Sequence, residues 1–232
     1  MTHTRLRPAT RHALALVAAL LPFTVNGPRA GATAPGYGSV IDPQTAATAA
    51  ATPTRTMTGE QRDASFDAHK GDFDYLLGDW EFTCENRQYG KGHGYWSAVR
   101  LATGHILDEY RLVGDKGETF YVTTTLRAYN AAADRWELVG LDDGSGLQDV
   151  GTARRVGAEM HLEQRFGVTG PEPSTWRIRY YAIEADRFSW TADRRADGSQ
   201  TWVTAFHTIE ARRIGPPRSL EPLATGKKPA VR

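Results

Sequence analysis

From Trp80 onward the chain is a succession of short alternating segments separated by turn residues, and this rhythm restricts its fold more than any other feature. The segments are 79–86, 93–101, 104–113, 118–129, 135–142, 147–156, 158–167, 174–184, 187–194 and 200–212. Between them lie Gly90 to Gly94, Thr103-Gly104, Gly114 to Gly117, Asn130 to Asp134, Asp142 to Gly146, Gly157, Gly170 to Pro173, Ala185-Asp186 and Asp197-Gly198. Short runs rich in β-branched and aromatic residues, joined by such turns, predict an antiparallel meander. No stretch after residue 80 carries a helical period, which argues against α/β and α+β layouts. A flat sheet of about ten strands would expose two edges, and closure removes them. The expected fold is therefore all-β: an antiparallel up-and-down barrel of about ten strands with a short N-terminal helix or plug.

The sheet begins at Asp72–Cys84, D-F-D-Y-L-L-G-D-W-E-F-T-C. Phe73, Tyr75, Leu76 and Leu77 form a compact apolar plug. After Gly78 the pattern alternates, with Trp80, Phe82 and Cys84 on one side and Glu81, Thr83 and Glu85 on the other. A change of period at a glycine marks a helical turn handing over to a half-buried strand. Just upstream, Thr58 and Gln61 have capping-box spacing, which predicts one short helix ending near Gly71.

The ends of the chain read differently. Residues 1–32 have the layout of a secretory leader: Arg5, Arg7 and Arg11, an apolar run from Ala13 to Val25, then Ala30-Gly31-Ala32 with cleavage expected after Ala32. The run is too short to span a membrane, and no second run follows. Residues 33–57, rich in Ala, Thr, Pro and Gly, read as a disordered linker. The barrel domain is placed at 58–213, and 214–232 as a disordered tail. Without the four leader arginines, 24 basic side chains stand against 27 acidic ones, a net charge of −3. That balance gives no electrostatic reason for nucleic acid or an anionic membrane to bind. The expected protein is exported, periplasmic or secreted. The single cysteine, Cys84, excludes an internal disulfide and lies on an apolar strand face, as a buried inert thiol does.

The order of several motifs resembles a known family. F-D-Y-L-L-G-D-W-E resembles the opening of a widespread bacterial family of lipocalin-like, calycin-type proteins of uncharacterised activity. T-G-H-I-L-D-E-Y, with Glu109 before an aromatic, resembles its third-strand segment. T-T-T-L-R-A-Y-N followed by D-R-W resembles its central hairpin, with Tyr129 and Trp136 flanking the turn. A-D-G-S-Q-T-W resembles its final hairpin. The resemblance covers roughly residues 72–213. It departs at Thr103-Gly104, where a glycine pair is expected, and at Asn130, where an Asp is expected. It implies a closed antiparallel barrel with an internal pocket and no particular reaction. Gly78 and Trp80, as G-x-W, are similar to the lipocalin motif in which a first-strand tryptophan closes the barrel floor beneath an arginine. Here Arg212 or Arg213 would supply it, Arg212 being the preferred assignment.

The expected function is binding of a small, mainly apolar or amphipathic ligand inside the barrel. Tyr121, Trp136 and Trp190 are the candidate walls, and Glu109 with Arg165 or Arg179 the polar anchor. Strand parity does not decide whether those three charged residues point inward or into solvent. A first alternative is an isomerase, cyclase or hydrolytic enzyme using an interior Glu/Arg/His site. A second is a haem-binding barrel with His207 as axial ligand. A third, a structural or interaction protein, predicts an interior filled by its own side chains. No phosphate loop, nucleophile elbow or metal-ligand spacing is visible, so no cofactor or metal is expected. Oligomeric state is not legible.

Overall fold

Thr58 caps the first helix. In the computed structural model, which describes residues 56–114 and 116–220, its hydroxyl accepts from the Gln61 amide (3.2 Å) while the Gln61 side chain accepts from the Thr58 amide (3.0 Å). This reciprocal cap starts helix α1 (Gly59–His69). A 3-10 turn at Asp74–Leu76 follows, and Gly78 then turns the chain into the sheet at φ 105°. A Cβ on Gly78 would lie 2.7 Å from both the Arg213 guanidinium and the Gly215 carbonyl, so glycine is required twice over, by conformation and by space. The predicted leader and most of the linker (1–55), and the end of the predicted tail (221–232), lie outside the described residues.

Ten strands follow: β1 (Gly78–Asn86), β2 (Gly90–Arg100), β3 (Ile106–Val113), β4 (Thr119–Asn130), β5 (Arg135–Asp142), β6 (Gly146–Val156), β7 (Glu159–Phe166), β8 (Ser174–Tyr181), β9 (Arg187–Ala196) and β10 (Val203–Gly215). Each pairs antiparallel with its sequence neighbours, and β10 pairs back to β1, closing an up-and-down barrel. All ten alternating segments are strands. Their edges shift where packing overrides turn chemistry. Gly92 and Gly94, expected in a turn, lie within β2. A Cβ on Gly94 would stand 2.0 Å from the Arg111 carbonyl and 2.6 Å from the Phe82 ring, so this glycine lets neighbouring groups close over the strand. At the other end, β10 runs past Arg213 to Gly215, and Ser219 bridges to Arg100, so the chain stays engaged to residue 220.

The barrel has a closed end and an open end. At the closed end Phe73, Leu76 and Leu77 seal the interior against Trp80, Trp136, Tyr180 and Phe188, all buried. Phe73 meets Trp136 edge-on at 5.2 Å between ring centroids, and the Trp80 indole N–H donates to the Leu76 carbonyl (2.8 Å). Arg213, rather than its exposed neighbour Arg212, stacks over Trp80, with its Cζ 4.1 Å from the ring centroid. Alternation explains the correction: Arg212 pairs in register with Glu81 on the outer face and forms an ion pair with it, whereas Arg213 pairs with Trp80. Among the described residues, no helix is long and apolar enough to cross a membrane.

Candidate functional site

The strands carry three of the predicted site residues to the outside. Glu109 is exposed and pairs with Arg111 (3.1 Å), and Arg165 pairs with Asp197. Arg179 lies 3.7 Å from Glu159 and stacks on Tyr181. The expected interior Glu–Arg anchor is thus corrected. On β3 the inward row is Ile106, Asp108, Tyr110 and Leu112, one residue out of step with Glu109. The interior Glu/Arg/His constellation of the enzyme reading is not assembled, because of its members only His207 faces inward.

In place of that anchor stands a pair that parity could have suggested. Asp108 and Arg127 face each other in the barrel, both nearly inaccessible (2% and 3% exposed). The Arg127 Nε donates to one Asp108 oxygen (2.6 Å), its Nη2 to the other (3.2 Å), and the Trp96 indole N–H donates to the carboxylate as well (2.8 Å). Burial alone would push the guanidinium toward neutrality, but the Asp108 charge and hydrogen bonds outweigh it and hold Arg127 above its ordinary value. The Arg127 guanidinium also lies 4.9 Å from the Phe73 ring centroid, so this pair forms a layer directly above the plug. Asp108 carried a sequence signal, since it alternates with Ile106, Tyr110 and Leu112. Arg127 carried none, as its face is otherwise Thr and Tyr.

A second polar pair was not foreseen. Asp149 on β6 is 2% exposed and accepts from the Gln164 side-chain amide (2.7 Å). Its register partner on β5 is Gly140, where a Cβ would come within 1.8 Å of the carboxylate. Gly151, the partner of Gln164, is likewise too close to that side chain to carry one. Two glycines therefore form the notch in which the pair sits. Burial, opposed by the Gln164 hydrogen bond and by Arg127, raises the Asp149 carboxyl to about 6.

The other predicted residues face inward at different depths. Trp136 is wholly buried at the closed end, donating to Asp72 (3.2 Å), and belongs to the core rather than to an accessible wall. Tyr121, Trp190 and His207 line the barrel nearer its open end. Burial and the charges of Asp142 and Asp149, offset by hydrogen bonds with Thr123 and Gln148, push the Tyr121 phenol up to about 12. His207 meets Trp190 edge-on (5.2 Å), burial lowers its pKa to about 4, and its Nε2 has no hydrogen-bond partner. It continues the inward alternation of Ile209 and Ala211, and a bulge lies just before it. The register of β10 against β9 shifts between Val203 and His207, with Ala205 at φ 45°, so that both Phe206 and His207 sit against interior aromatics. Cys84 also faces inward, and burial raises its thiol to about 11, which makes it a poor nucleophile.

Toward the open end, inward side chains such as Tyr110, Leu112, Tyr121, Thr123, Phe166 and Trp176 remain only half-buried. In a closed barrel an inward side chain is reached only through an end, so solvent enters here. A groove of about 900 Å³ lies outside the barrel, lined by residues including Thr152, Arg154, His161, Arg177 and Asp193. Its charges are solvated, and Arg177 stands 3.8 Å from Glu163 across it. The buried polar groups are in the interior, which is the better candidate. Among the described residues, no three His, Cys, Asp or Glu side chains gather as a metal site requires.

The fold and site define a closed ten-stranded antiparallel barrel with a plugged and an open end. No family model matches the chain, and no curated protein matches it. Among solved structures it is similar to the crystal structure of Rv2717c from M. tuberculosis, with 16% identity over 65% of this chain and 97% of that chain and a TM-score of 0.47.

Proposed function

We propose that this chain takes a small, mainly apolar ligand into the open half of its interior. The observation that carries this reading is the gradient of burial along the inward rows. Trp80, Trp136 and Tyr180 are at most 1% exposed at the closed end, while Tyr110, Tyr121 and Trp176 are reached by solvent toward the mouth. An aromatic recess with a few polar groups at fixed positions is how small-molecule sites are generally built. The leader-like residues 1–32 support the further proposal that the protein is exported, with an exported form beginning at Thr33 by intact mass.

Fluorescence titration with the apolar probe N-phenyl-1-naphthylamine tests the reading. Saturable binding is expected, abolished by the interior-filling Thr123→Trp and unchanged by the outer-face variants Glu109→Gln and Arg179→Gln. Absence of saturable binding, or indifference to Thr123→Trp, would refute it.

His207 alone favours a second reading, haem held by an axial histidine. The residue fits that role, because it is neutral at physiological pH, faces the interior and presents an Nε2 with no partner. Added hemin would then give a Soret band that His207→Ala removes; no band with the intact protein ends this reading.

A further inference from the structure

We propose that the interior recess is selective for a protonated amine carried on an apolar body, recognised by Asp149 with Asp142 and the Tyr121 ring. This rests on the interior-binding reading above and concerns which head group the recess accepts.

Charge balance is the first argument. Asp108 holds Arg127 along one edge, through Nε and Nη2, and offsets its charge there, while Nη1 has no partner. The charges that reach Asp149 are those of Arg127, Asp108 and Asp142. Asp149 thus lies in the field of Asp142 and of the Asp108–Arg127 ion pair. Asp149 itself has a neutral partner, Gln164, on one oxygen, and its other oxygen makes no hydrogen bond to a described residue. A buried carboxylate without a counter-ion is costly, and an ammonium group would relieve that cost while donating to the unoccupied oxygen.

The surroundings suit the same guest. Tyr121 lies near enough to Asp142 and Asp149 to feel both charges, and Phe166 is the cross-strand partner of Asp149. Aromatic faces attract cations and also pack an alkyl or aryl chain. Further round the wall, Trp176 packs against Phe166 at 4.8 Å and Trp190 lies by His207, which stays neutral and does not repel a cation. Among the described residues, Arg194 on β9 is an inward cation of the open half without an acidic partner in hydrogen-bond contact, three strands round the barrel from Asp149. Its guanidinium stacks over Phe206 at 5.1 Å. A fatty-acid anion would meet the acidic side of the recess, so the design differs from a carboxylate carrier.

Calorimetric titration at pH 7.5 with octylamine, octanol and octanoate isolates the head group, since the three share one chain. Octylammonium is expected to bind at least tenfold tighter than octanol, and octanoate weakest. Asp149→Asn should lower octylammonium to the level of octanol without changing octanol itself. Asp142→Asn should have a smaller effect, and Glu109→Gln none. If octanoate binds best, or Asp149→Asn leaves the amine preference intact, the inference is overturned while interior binding stands. If none of the three binds, the interior-binding reading fails and this inference fails with it.

Discussion

The two halves of the barrel are made from the same strands yet solve opposite problems. In the plugged half, bulky rings meet across the interior, with small residues such as Ala98 and Ala153 between them. Trp80, Trp136, Tyr180 and Phe188 pack beneath Phe73 and Leu76; the Trp80 and Trp136 indoles find partners within the fold, and the Tyr75 hydroxyl is buried without one. In the open half, glycines and small residues take inward positions, and polar groups are left for something else to meet. Gly140 and Gly151 make room for Asp149 and Gln164, and His207 keeps an unpartnered nitrogen. The difference teaches that closing one end lets the other be less tightly sealed. The plug supplies the apolar burial that stabilises the barrel, and the mouth is freed from that duty.

The boundary between the halves, the Asp108–Arg127 pair, gives the largest test. Arg127→Met would leave Asp108 buried without its counter-charge and should cost about 3–5 kcal/mol in denaturant unfolding. Asp108→Leu combined with Arg127→Met should recover most of that loss, as replacing both ends of a buried pair commonly does. A double variant as unstable as the single would mean that the layer is held by shape and not by charge. On the plugged side, Trp80→Ala should cost about 3–5 kcal/mol, whereas Thr123→Ala in the open half should cost well under half of that.

Two perturbed groups of the open half, Asp149 and His207, predict opposite pH dependences. Asp149 has its folded pKa raised to about 6, so its contribution is fully present below the unfolded value and is lost as pH rises through 6. Asp149→Asn should therefore stabilise the protein relative to the parent above pH 6, on the order of 2–3 kcal/mol, with the gain vanishing below pH 4. His207 has its folded pKa lowered to about 4, so its contribution is present above about 6.5 and is lost as pH falls toward 4. His207→Leu should remove that acid-side loss, again on the order of 2–3 kcal/mol. Thermal unfolding from pH 4 to 8 checks both, and parallel curves for parent and variants would show that neither group is as buried as described.

The smallest contrast separates neighbouring arginines. Arg213→Ala removes the cation over Trp80 and a hydrogen bond to the Tyr75 carbonyl (2.9 Å), and should cost about 1–2 kcal/mol. Arg212→Ala breaks only an exposed pair with Glu81 and should cost less than about 1 kcal/mol. Equal effects would place the two side chains on the same face.

What the sequence by itself determined is what local pattern can carry. The number and order of strands follow from alternation and turn residues. The Thr58–Gln61 cap follows from a spacing of three, and the plug follows from a period change at Gly78. Closure follows from the cost of two long open edges. The inward face was not legible, because alternation has two equivalent parities and several strands carry bulky residues on both. Glu109 and Asp108 are adjacent in the sequence, and only the sheet register sends one to solvent and the other to Arg127. Asp149 could be assigned to the interior only once Gly140 was known to lie across from it. The inward place of Phe206 beside His207 required the bulge at Ala205, a distortion with no local signature in the chain. Those decisions belong to the tertiary structure, since each depends on which residue a neighbouring strand brings opposite.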